Sequence, residues 1–193
     1  MISRKLAQQI LSLLTPSQRS IRRWLPAILL VIAQLLASPM AHADEKLEYR
    51  VKAAFIYNFI AFTQWPVNAD PAINLCLYGE DYFGQEIEKL QNKSIGTRPI
   101  KIMRVSNSNQ LQQCQAVFFS KSVNDTMTDI ISGLEGHPIL TLADSPDAIS
   151  KGIIINMSLM NDKIVFEINL TSARKSALEI SSKLLQLATK VHQ

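Results

Sequence analysis

Ala116-Val117-Phe118-Phe119, closed by Ser120-Lys121-Ser122, is an apolar quartet that stops abruptly at a polar turn. A strand with one wet face alternates apolar and polar side chains. A strand apolar at every position is covered on both faces, as parallel strands are when helices pack above and below their sheet. Pro138-Ile139-Leu140-Thr141-Leu142 is a second short run of this kind. Upstream, Ile73 to Gly79 reads as a strand with Ile73, Leu75 and Leu77 on one face, and Pro99 to Val105 as another. The segments between have helical spacing: Glu80 to Gln91 with Phe83, Ile87 and Leu90, and Val123 to Leu134 with Met127, Ile130, Ile131 and Leu134. Leu111-Gln112-Gln113 is a turn or short helix leading into the quartet. Strands alternating with helices predict an α/β fold with a mainly parallel sheet flanked by helices.

The two ends complete this outline. Leu47, Val51, Ala54, Phe55, Phe59 and Phe62 recur at three and four residues, predicting a helix over 46–62 that Trp65-Pro66 stops. Its second half carries few charges, so it is expected to be covered on more than one side. After Ser145-Pro146, the runs Gly152 to Leu159 and Lys163 to Leu170 flank Met160-Asn161-Asp162 and predict an antiparallel hairpin. Ala173, Ala177, Ile180, Leu184, Leu187 and Val191 then predict one final helix from Thr171, as its N-cap, to about Val191. Such a helix docks on the sheet or, read as heptads, forms a short coiled-coil seam. The expected fold is a mixed, mainly parallel sheet flanked by helices, with a C-terminal antiparallel hairpin and a final helix.

Residues 1–43 have a different character. They hold Arg4, Lys5, Arg19, Arg22 and Arg23 and no acidic residue, then an apolar run from Leu25 to Ala37, then Ala41-His42-Ala43 before Asp44-Glu45. This is the order of a cleaved secretory signal, with cleavage expected after Ala43 and the remaining 44–193 as a single domain in the periplasm. The apolar run is short against the roughly 20 residues of a membrane helix, although a retained N-terminal anchor is the other reading. Arg22-Arg23 resembles a twin-arginine signal only faintly, with Ile21 before it and no cofactor motif after it. The whole chain has 20 basic and 16 acidic residues; removing the five leader cations leaves 15 against 16, a net charge of −1. The basic balance therefore belongs to the leader, and the sequence offers no footprint for nucleic acid. The two cysteines, Cys76 and Cys114, both lie in the exported part, where a lone pair is expected to be bridged; two buried thiols are the alternative.

The chemistry-bearing motifs fail one by one. Beyond the leader only His137 and His192 remain, and neither has a second histidine at ligand spacing, so no metal is expected. There is no Gly-x-Ser-x-Gly elbow. Cys76 sits between leucines without a base beside it. Gly79-x4-Gly84 has the context of a phosphate loop but continues Gln85-Glu86 where a lysine and a hydroxyl residue belong. No catalytic residue and no cofactor follow from the sequence. What stands out is Glu167 and Asn169 on one face of Phe166-Glu167-Ile168-Asn169-Leu170, with Arg174 just beyond. They form either a structural ion pair or a ligand or partner site, which Tyr57 and Trp65 would help to line.

These residues carry a likeness. Val51-Lys52-Ala53-Ala54-Phe55-Ile56-Tyr57-Asn58-Phe59, then Phe62 and Trp65-Pro66, resembles the opening signature of the YfiR family of periplasmic regulators. Phe166 to Leu170, Ala173-Arg174 and Ile180-Ser181-Ser182-Lys183-Leu184-Leu185 resemble its end, and Leu75-Cys76, Gln113-Cys114 and Ile153 to Asn156 resemble segments between. The resemblance implies a dimer that binds the periplasmic part of an inner-membrane diguanylate cyclase and holds cyclic di-GMP low. It also implies an outer-membrane lipoprotein as a second partner. The alternative is a periplasmic small-molecule sensor module with no cyclase partner. Members can carry a second disulfide further along; here Asp144 to Leu159 has no cysteine, so one bridge is expected, Cys76 to Cys114. The aromatic first helix and the final helix are the apolar surfaces expected to support a homodimer.

Overall fold

A computed structural model describes residues 40–66 and 70–193. The basic stretch and apolar run on which the signal, twin-arginine and anchor readings rest lie outside these residues, whereas Ala41-His42-Ala43 falls at the start of the first helix. In chain order the elements are α1 (Met40–Ala61), β1 (Thr63–Gln64), β2 (Ile73–Tyr78), α2 (Gln85–Glu88), β3 (Ser94–Ile95), β4 (Arg98–Val105) and β5 (Ala116–Phe119). They continue as α3 (Met127–Ser132), β6 (Leu140–Ala143), β7 (Ile155–Met160), β8 (Lys163–Asn169), α4 (Leu170–Lys175), β9 (Glu179–Ile180), α5 (Ser182–Leu187) and β10 (Lys190–His192).

The apolar quartet is β5, and all four of its residues are buried. It lies between β2 and β6, parallel to both, with Ala116 beside Leu75 on one side and Leu140 on the other. The eight-stranded sheet runs β10-β8-β7-β6-β5-β2-β4-β3; β4 and β7 extend the parallel centre, the β7–β8 hairpin and β3 supply antiparallel pairings, and β10 lies parallel to β8 at one edge. The fold is therefore the mixed, mainly parallel α/β architecture the sequence predicts. Ile73, Leu75, Leu77, Phe118, Leu142, Phe166 and Ile168 face one core beneath α1. Cys76, Val117, Phe119 and Ala143 alternate with them into a second core with Met127 of α3.

The hairpin turn needs no glycine. Asn161 and Asp162 both adopt positive φ, 50° and 59°, the left-handed pair that a two-residue turn demands and that these side chains tolerate.

Three expectations are corrected. The stripe of α1 is rotated: Tyr49, Ala53, Ile56, Phe59 and Ile60 face the core, whereas Leu47, Val51 and Ala54 are exposed and Phe55 and Phe62 half-buried. The helix is apolar on two sides, so spacing alone did not choose between them. The helix expected over Thr171–Val191 is two short helices, α4 and α5, with β9 between them and β10 after them. Ala177 at φ 54° ends α4, and the backbone N–H of Leu178 returns to the Ala173 carbonyl, a left-handed cap. Asn169, not Thr171, caps α4, accepting the Ser172 N–H at 2.9 Å, and Ser181 starts α5 afresh. Finally, Val123–Leu134 is helical in two pieces, a 3₁₀ stretch over Lys121–Thr126 that is kinked at non-helical Val123, and then α3.

Candidate functional site

The chain adds β4 on one side of β2 and then β5 on the other, so the direction of sheet growth reverses there. In such sheets the crevice at the carboxyl ends of the strands near that reversal is where ligands bind. Here the ends of β2, β5 and β6 are followed by Gly79, Ser120 and Asp144. Gly79 has φ 98°, and a Cβ on it would come 2.4 Å from Ser120 Oγ, so only glycine fits. Ser120 Oγ lies 2.6 Å from Ser122 Oγ, which in turn accepts the Glu80 backbone N–H.

Against this edge α1 presents a lysine where its core face should be apolar. Lys52 is 3% exposed; its Nζ donates to Asp144 Oδ2 at 2.5 Å and also meets Glu48 one turn back. The Tyr49 hydroxyl donates to the same Asp144 oxygen at 2.9 Å. Asp144 Oδ1 and Ser145 Oγ are buried without a hydrogen-bond partner. Tyr49 stacks on Tyr82 with ring centroids 5.7 Å apart, and the Lys121 ammonium lies 4.2 Å from the Tyr82 centroid. Further out, Arg104 joins Glu88 and Asp81, whose hydrogen bonds, Glu88's first, raise its pKa. The hydrogen bond from Lys89 holds the Glu86 carboxyl below its ordinary pKa, against the opposing effect of burial. The cluster thus contains a buried ion pair and a phenol but no free thiol, since both cysteines are bridged.

The disulfide joins Cys76 in β2 to Cys114, two residues before β5, with Cα atoms 6.0 Å apart. Both residues are buried in the second core.

The expected site residues separate into groups with different partners. The Tyr57 hydroxyl reaches the Ser94 carbonyl at 3.3 Å, and Lys93 lies over its ring. Trp65 Nε1 donates to the Gln115 carbonyl at 3.1 Å, with the Arg98 guanidinium over its ring. Glu167 and Asn169 share a face of β8, as expected from the alternation. Asn169 is occupied as the cap of α4 and as a donor to the Ile149 carbonyl. The Glu167 carboxylate meets His192 Nε2 at 2.6 Å rather than Arg174. Arg174 is exposed in the last turn of α4, where a cation suits the helix dipole. Glu167 and His192 also border a cavity of about 360 Å³ with Asp147, Ser150 and Asn156. Lys52, Asp144 and His192 are the residues that sequence reasoning passed over. The signal for Lys52 was a lysine four residues after Glu48 on the side of Tyr49 and Ile56.

Among the described residues no group of three or more His, Cys, Asp or Glu is placed to hold a metal ion, and no helix is long and apolar enough to cross a membrane.

Fold and site together define a doubly wound α/β domain with a buried ion pair at the carboxyl end of one of its central strands. A family profile described as YfiR/HmsC-like matches residues 49–189. The chain belongs to the YfiR/HmsC-like family, which is known for periplasmic regulation of diguanylate cyclases and is regulatory rather than catalytic. Two solved structures are similar at 9% identity. One is a conserved domain protein from Vibrio cholerae O1 biovar El Tor (TM-score 0.46). The other is the ABC domain in complex with L-Trp from Streptococcus pneumonia (TM-score 0.48). Each match covers 74% of this chain and 60% of the other, so the chain spans less than two thirds of their length.

Proposed function

We propose that this chain is exported, cleaved after Ala43, and represses an inner-membrane diguanylate cyclase by binding its periplasmic sensory part, lowering cyclic di-GMP. The homodimer is its working form, and an outer-membrane lipoprotein is a second partner that sequesters it. The observation that carries this reading is the family match over residues 49–189, which spans nearly the whole domain beyond the leader. A repressor of this kind works by binding the inactive form of its partner more tightly than the active one; equal affinity for both would shift nothing.

Two measurements test it. Intact-mass spectrometry of the protein from the periplasmic fraction should give a chain beginning at Asp44; a soluble chain retaining residues 1–43 would overturn export with cleavage. Deleting the gene should raise cellular cyclic di-GMP, and the tagged protein should capture a cyclase from solubilised membranes. Unchanged cyclic di-GMP with no cyclase captured would sink the regulatory reading. The cavity beside Glu167 and His192 favours a second reading, a small-molecule sensor module without a cyclase partner, for which those deletions would be silent.

A further inference from the structure

The charges of the domain are unevenly placed. Lys46, Arg50 and Tyr57 follow one another at four and seven residues on α1, which puts all three on one line of the helix. Both cations are exposed, and with Lys89 they bear on the Glu86 carboxylate of α2. Further along the same line, the Lys93 ammonium stands 5.5 Å from the centroid of the Tyr57 ring, whose hydroxyl donates to the Ser94 carbonyl. Past the end of α1 the Arg98 guanidinium lies 5.6 Å from the Trp65 centroid. Arg104 joins the set at α2, where it meets Glu88 and Asp81.

The carboxylates interleaved with these cations are already engaged, Glu86 by Lys89 and the other two by Arg104. Lys46, Arg50, Lys93 and Arg98 form no ion pair among the described residues. Six cations therefore stand here against three carboxylates, in a domain whose 15 basic and 16 acidic residues give a net charge of −1. What remains of the domain holds nine basic and thirteen acidic residues. A surplus of one sign on one side of a nearly neutral domain is an electrostatic surface for a partner of the other sign.

We infer that this flank of α1 rests on the anionic headgroups at the periplasmic face of the inner membrane. The inference rests on the periplasmic reading above and adds a lipid surface to it. An exposed helix flank, unlike a cleft, can meet a plane of charge along its length, here roughly 17 Å from Lys46 to Tyr57. The two cations at the far end are backed by a tyrosine and a tryptophan, the aromatic residues that settle at headgroup level. Lysine and arginine stems pass over such rings while their charged ends reach outward. Four cations without an ion pair are enough for a salt-sensitive attraction that orients the domain without anchoring it.

Co-sedimentation with vesicles tests this, using protein recovered from the soluble fraction of cells expressing the full chain. Wild type should bind vesicles of equal parts phosphatidylglycerol and phosphatidylcholine, and not phosphatidylcholine alone. Binding should vanish as salt approaches about 1 M, where the Debye length is about 3 Å. Arg50→Gln with Lys93→Gln should weaken it roughly thirtyfold. Lys101→Gln with Lys175→Gln removes the same charge from exposed positions on the opposite face of the sheet and should leave binding unchanged. Lys46→Gln with Arg98→Gln repeats the test if the first pair fails to fold. Equal binding to both vesicle types would overturn the inference, as would equal loss in the stripe and control variants. Cyclase capture from solubilised membranes, where no bilayer remains, should match wild type in the stripe variant. Capture lost there, with no vesicle binding by wild type, would overturn the lipid surface in favour of an acidic part of the cyclase. Capture intact without vesicle binding would sink this surface and leave the regulatory reading standing.

Discussion

Lys52→Met is expected to cost about 3–5 kcal/mol of folding stability, the usual penalty for removing one partner of a buried ion pair. The Asp144 side chain is 1% exposed and would keep only the Tyr49 hydroxyl as a donor. Glu48, one quarter exposed, can turn to solvent, so the penalty falls on Asp144. The pair itself contributes far less than its loss costs, because taking both charges out of water offsets most of their attraction. Lys52→Met with Asp144→Leu should therefore recover most of the stability of the single variant. Lys89→Met provides the contrast. Its side chain is 60% exposed against 4% for Lys52, so losing the contact with Glu86 should cost less than losing Lys52. Urea unfolding of the four proteins reads all of this. A Lys52→Met protein as stable as wild type would show that the lysine is not a buried partner in solution.

The parts of the fold that were legible in the sequence are those in which burial leaves a one-dimensional trace. β5 is apolar at every position because both faces are covered, and the hairpin alternates because one face is. The C-terminal segment misled for a definite reason. Ala173, Ile180 and Leu184 are all buried, but one belongs to α4, one to β9 and one to α5. A left-handed residue at Ala177, which no propensity announces, places them on one core while mimicking a helical repeat. The site was less legible than the fold. Glu167 looked like the partner of Arg174 because they are close in sequence. Its partner is His192, brought alongside by β10 pairing with β8, a contact 25 residues away. Lys52 and Asp144 are 92 residues apart, and nothing local in either segment names the other.

Breaking the Cys76–Cys114 bridge should lower the melting temperature by roughly 10 °C, from about 4 kcal/mol of lost stability at a few degrees per kcal/mol for a domain of this size. The stability figure follows from the 38-residue separation: in the chain-entropy model an open loop of that length gives the denatured state freedom that the bridge denies it. Against a typical total of about 5–15 kcal/mol, this is a large share. The bridge also has a local role. Leu75 to Tyr78 pair in parallel with Ala116 to Phe119, and a parallel pair cannot be set by a tight turn. Cys114 ends the 3₁₀ turn over Ser108–Gln113, so the bond fixes where the chain enters β5 relative to β2. Cys76→Ala with Cys114→Ala is the cleaner variant, since serines would place hydroxyls among Leu111, Val117 and Phe119. Because both cysteines are 2% exposed or less, the native bridge should resist mild reductant and open only as the domain unfolds. Partner capture by the double-alanine protein below its own melting point should match wild type, because the bond lies in the core opposite α1. Thiol titration of the denatured, unreduced protein should find no reactive thiol. Two thiols per chain, or a melting temperature indifferent to reduction, would remove the bridge from this account.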